Sequence, residues 1–156
     1  MTLETKHDLN PETIDGVQKL IRYNIDAEKG FREAADQIED ARLSALFSEI
    51  ADQRSALALE LQGYVAWNDE EPVDEGSALG AVHRAWLKVR ALLNGGDAYA
   101  ILAEAERGED HIKDAYEEVL KETAGSAMND VFQHQYALVK AGHDQIRDLR
   151  DAHKED

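Results

Sequence analysis

The sequence predicts an all-α fold of four long helices and one shorter one. Three observations carry this: apolar residues recur at three-and-four spacing along most of the chain, strand-like alternation never persists, and only two prolines occur in 156 residues. Pro11 and Pro72 both stand where a helix starts or a loop runs, so long helices are permitted almost everywhere.

Asn10, Pro11 and Glu12 read as N-cap, first-turn proline and dipole-favoured acid, opening a helix expected to run to about Ile38. Its stripe is Ile14, Val17, Ile21, Phe31, Ala35 and Ile38, with the polar Asn24 and Glu28 falling inside it. Asp40 caps a second helix, about Ala41 to Asn68, with Leu43, Leu46, Phe47, Ile50, Leu57, Leu61 and Tyr64 inward. The short join makes these two an antiparallel hairpin. Pro72 and Gly76 mark a loop, after which Ser77 caps a shorter helix, about Ala78 to Leu93, containing Val82, His83, Trp86 and Val89. Asn94, Gly95 and Gly96 end it.

Asp97 opens the fourth helix, with Ala98, Leu102, Ala105, Ile112, Tyr116 and Val119 in register and a stop near Gly125. Ser126 caps the last, whose stripe is Met128, Val131, Phe132, Gln135, Val139, Gly142, Ile146 and Leu149. The four long helices would each reach roughly 40 Å and the short one roughly 24 Å. With the short one climbing back outside the bundle, the second and fourth helices run parallel, joined by one long crossover. The expectation is a ferritin-like four-helix bundle with a short fifth crossover helix: residues 1–10 as an N-terminal tail, 11–154 as a single domain.

Composition narrows the chemistry. Hydrophobic residues make up 43% of the chain, enough for one sizeable core without metals or disulfides. There are no cysteines, so disulfides and thiolate ligands are excluded and a cytoplasmic setting fits. The first ten residues lack the basic start and apolar stretch of a secretory signal, and no apolar run approaches the roughly 20 residues that span a bilayer. Seventeen basic against 33 acidic residues leave a charge of -16, which repels nucleic-acid backbones and anionic membranes.

Placing the helices side by side at a rise of about 1.5 Å per residue brings Glu28, Arg54, Glu109 and His143 to one height, with Glu49 and Asp52 nearby. Charges in a core must be paired or neutralised, because stripping their water costs several kcal/mol per ion. One reading is a structural network in which Arg54 bridges Glu28 and Glu109 and His143 adds a hydrogen bond. A second is a metal site of Glu28, Glu49 (or Asp52), Glu109 and His143; a third lets shifted registers carry the charges to solvent. The Glu-x-x-His pair of di-iron bundles is missing, since Lys140 stands three before His143 and Gly108 three before His111. His83 reads as a ring over the bundle beside Trp86, His111 and His134 as exposed, and His7 and His153 as terminal. No nucleophile elbow or phosphate loop occurs, so no catalytic residue is assigned.

The chain resembles a bacterial family of ferritin-like four-helix-bundle proteins, the domain of unknown function 2383. Asp26, Arg54, the Glu60-Leu61-Gln62 run, and Gly80 with His83, Arg84, Ala85 and Trp86 carry the likeness. Glu106, Arg107, Gly108, Glu109, Asp110 and then Tyr116, Glu117 and Glu118 add to it. It extends from about residue 9 to about residue 122, and the last helix fits through His143 and Asp144. The resemblance implies the fold and a bacterial cytoplasmic setting and supplies no activity. The leading expectation is a non-enzymatic, stress-associated bundle without cofactor, acting as a homo-oligomer or on a protein partner. The competing one is an iron-handling or oxidase bundle holding iron or another divalent metal in its polar layer.

Overall fold

The computed structural model describes residues 4–76, 86–89 and 97–154. Four long helices dominate: α1 (Pro11–Gln37), α2 (Ala41–Trp67), α3 (Ala98–Glu122) and α4 (Asn129–His153), the last two being the fourth and last of the sequence. Residues 86–89 are helical as well, while the rest of the expected short helix, His83 included, lies outside the described residues.

Local chemistry sets most boundaries. Asp40 accepts from the N–H groups of Arg42 and Leu43 at the start of α2, and Asp97 from that of Ala100 at the start of α3, so each carboxylate satisfies donors the helix leaves open. Gly125, at φ +81°, takes the left-handed conformation just beyond α3. One expected cap differs: the Asn10 side chain makes no cap bond. Ser126 sits in a turn ahead of α4, which begins at Asn129, and its hydroxyl oxygen accepts from the Met128 N–H. Glu4 braces both helix starts. Its carboxylate accepts from the Asn10 N–H, the Thr13 hydroxyl, the Ser126 hydroxyl and the Ala127 N–H, tying the chain start to two helix starts. Burial opposes its charge, yet these donors outweigh burial and hold the Glu4 carboxyl below its ordinary range.

The helix directions follow from cross-contacts. Ser44 of α2 donates to the carbonyl of Ala35, and Phe31 meets Phe47, so α1 and α2 are antiparallel. Gly16 lies against Val119 and Asn24 bonds Tyr116, so α1 and α3 are antiparallel too. It follows that α2 and α3 run the same way. Two parallel neighbours in sequence need a connection that returns the length of the bundle. Leu20, Phe31, Phe47, Leu61, Leu102, Ile112, Tyr116, Phe132 and Ile146 are fully buried between the four helices, and burying a large apolar side chain of this kind contributes about 1.5–3 kcal/mol.

Trp86 belongs to this core, 7% exposed. Its ring meets Phe31 edge-on at 4.6 Å between centroids. The indole lies over Gly30 of α1 and Gly108 of α3, and any Cβ at Gly30 would overlap its six-membered ring. Two glycines thus form the slot through which the crossover segment plugs into the bundle.

Candidate functional site

Charged and polar residues enter the bundle in tiers along α3. At the first tier a hydrogen-bond chain touches all four helices: Asn24 donates to the Tyr116 hydroxyl (2.8 Å), Tyr116 to Gln135 (2.6 Å), and Gln135 to Glu60 (2.7 Å). Burial pushes the Tyr116 hydroxyl far above its ordinary pKa, so it stays a phenol and can donate.

The second tier lies two turns toward the start of α3. Arg54 of α2 and Glu109 of α3 form an ion pair in which both side chains are 0% exposed. The second guanidinium nitrogen donates to Gln53. Gly142 of α4 makes room for the pair, because a Cβ there would stand 2.8 Å from the guanidinium and 3.7 Å from the Glu109 carboxylate. Among the described residues Arg54 Nε and Glu109 Oε1 have no hydrogen-bond partner.

Glu28 is not in this tier. It is half-buried on the flank of α1, paired with Arg32 at 3.3 Å, and Arg32 also reaches Asp52 at 3.1 Å. The inward positions of α1 are Leu20, Asn24, Ala27 and Phe31, and Glu28 follows Ala27 by about 100° of helix rotation. Glu49 and Asp52 are exposed. The set Glu28, Glu49, Glu109 and His143 therefore does not converge as a ligand shell.

His143 is buried, 6% exposed, and faces the α3–α4 groove. Its Nε2 lies 2.5 Å from Asp110 Oδ1 and 3.7 Å from Glu106 Oε1, and its Nδ1 lies 3.1 Å from Asp144 Oδ1. Glu106 is also paired with Arg150. Asp144 takes Lys140 at 2.8 Å and Arg147 at 3.3 Å. The Lys140 and His143 hydrogen bonds hold the Asp144 carboxyl down to about 2. The ligand atoms of Glu106, Asp110 and His143 all lie within 4.8 Å of one another. Spacing carried a signal for this cluster, since Glu106 and Asp110 are one turn apart on one face of a helix.

Two clefts among the described residues, of about 410 and 440 Å³, lie at the end of the bundle where α2 begins and α4 ends. Neither is lined by Arg54, Glu109 or His143. The His7 ring lies tilted against Trp67 at 5.2 Å between centroids, His134 is exposed and His111 half-buried. Among the described residues no helix is long and apolar enough to cross a membrane.

The contact-making residues of α3 are consecutive. Glu106 and Asp110 reach α4, Gly108 receives Trp86, Glu109 holds Arg54, and Arg107 points outward to Glu104. This run lies inside the segment, residues 12–122, that matches the family described as Domain of unknown function (DUF2383). The chain belongs to that family. Asn24, Tyr116 and Glu60 of the hydrogen-bond chain, the Arg54–Glu109 pair and the Trp86 slot lie in the same segment, whereas Gln135, which completes the chain, lies beyond it on α4. A search of curated proteins finds no match to the chain.

Proposed function

We propose that the protein is a non-enzymatic, cytoplasmic bundle of ferritin-like topology that acts by self-association through the outer face of α2. The ferritin-like reading is supported by parallel α2 and α3 and the long return between them. The non-enzymatic reading is supported by Arg54, whose guanidinium stands against Glu109 in the interior, where a metal-bearing bundle would gather carboxylates around a cation.

The observation that carries the self-association reading is a stripe on α2. Leu57, Leu61 and Val65 face the core, while Ala56, Leu59, Gly63, Ala66 and Trp67 are exposed along the opposite side, Leu59 at 66% and Trp67 at 58%. A helix apolar on both sides is ordinarily covered on both. Gly63, one turn from the Leu59 knob, carries no side chain, and a Cβ there would meet nothing within 4 Å, so the stripe is open at that point. A two-fold axis between them places each Leu59 over the partner's Gly63, the self-complementary pattern of an isologous dimer. The charge of -16 opposes association, so salt strengthens it by screening.

Sedimentation at low and high salt tests this. The expected result is a species of twice the 17.4 kDa chain mass, favoured by salt and returned to one chain mass by Leu59→Glu. A single-chain species at every concentration and salt level would overturn the reading.

A further inference from the structure

We propose that Glu106, Asp110 and His143 form a binding site for one divalent first-row transition-metal ion in the α3–α4 groove, separate from the closed Arg54–Glu109 tier. A hydrogen bond behind the ring orients His143. The Asp144 carboxylate only accepts, and it lies 3.1 Å from His143 Nδ1, so Nδ1 carries a proton and Nε2 is the ring atom turned to the groove. Nε2 faces two carboxylate oxygens, Asp110 Oδ1 at 2.5 Å and Glu106 Oε1 at 3.7 Å. Two carboxylate oxygens and a ring nitrogen converging on one point are held together either by a proton on Nε2 or by a metal ion.

A proton on Nε2 satisfies Asp110 but leaves Glu106 Oε1 beyond hydrogen-bond reach. A metal ion is held by all three. The supporting contacts are those of a ligand set: Arg150 engages the other oxygen of Glu106, and Asp144 orients the ring while Lys140 and Arg147 hold Asp144. A carboxylate behind a ligating histidine fixes its tautomer and raises its basicity. The Glu106 and His143 side chains, 11% and 8% exposed, are preset, whereas the Asp110 side chain, 47% exposed, is free to swing to the metal–oxygen distance of about 2.0–2.2 Å. Its open side leaves water to complete the shell. One imidazole and two carboxylates suit zinc, manganese or ferrous iron better than calcium or magnesium, which favour oxygen alone.

The test is calorimetric titration of tag-free protein with Zn²⁺, with zinc content measured after dialysis. One equivalent per chain is expected. His143→Gln removes the stoichiometric phase, Asp144→Asn lowers affinity about 10–100-fold through the ring's orientation, and Glu28→Gln leaves the titration unchanged. Asp110→Asn changes a half-exposed group and is therefore safe for the fold; it is expected to weaken binding at least about tenfold, as loss of a ligand should exceed the smallest loss on removing its support. The proposal is overturned if zinc does not bind, or if it binds equally to wild type and to Asp110→Asn, which would place it among the chain's other carboxylates. Sedimentation of the zinc-free protein reports self-association separately, so the two proposals fail independently.

Discussion

Glu109 and Asp110 are consecutive residues of α3 that meet opposite surroundings. Glu109 turns inward to Arg54 with no exposure at all, while Asp110 turns to the α3–α4 groove with 47% of its side chain in solvent. In the interior, a carboxylate must be matched by a fixed cation from the same chain, because water cannot screen it and a stranded charge is costly. In the groove, water shares the load, so Asp110 can exchange its partner. One helical step thus separates a group that specifies the packing of the bundle from one available to a ligand.

The largest effect that sharpens this contrast is expected at Arg54. Arg54→Ala leaves Glu109 buried without its cation and should cost about 3–5 kcal/mol in a urea melt; a loss under about 1 kcal/mol would mean the pair behaves like a surface contact. Next comes the slot between the tiers and the crossover. Gly30→Ala drives a methyl into the Trp86 ring, and overpacking of this kind should cost about 1–3 kcal/mol. Near-UV circular dichroism should report the displaced indole, and an unchanged spectrum with unchanged stability would remove Trp86 from the core. The smallest effect is expected at Asp110: without added metal, Asp110→Asn should change stability by less than about 1 kcal/mol. A loss as large as that of Arg54→Ala would erase the difference between the two carboxylates.

Periodicity made the helices legible because their stripes are long and only Gly and Pro interrupt them. Heights along the helices were equally legible, which is why Arg54 and Glu109 could be placed opposite one another from spacing alone. Phase was harder to read. Glu28 shares the height of Glu109, but Ala27 holds the inward position, and one residue of rotation sends Glu28 to Arg32 on the flank. Asn24, Tyr116 and Gln135 each stood in an apolar stripe, yet their joining into one chain depends on side-chain reach across helices. The Glu106–Asp110–His143 cluster escaped for a related reason. Acids one turn apart are common on solvated faces, and only the packing of α4 brings the imidazole between them. Leu59 and Trp67 are apolar by type, and composition alone does not tell an outward-facing apolar residue from a core one.

The inner tier is a mutually dependent structural pair, and a double-mutant comparison tests that dependence by sign as well as size. Urea melts of Arg54→Met, Glu109→Gln and the two combined would be compared with wild type. Each single variant leaves one charge or one polar group without its partner, whereas the combination removes both charges from the interior. The predicted result is a double variant more stable than Arg54→Met, the single change that strands the Glu109 charge. A double variant whose loss equals the sum of the two single losses would contradict the account, because independent costs mean that Arg54 and Glu109 do not depend on one another.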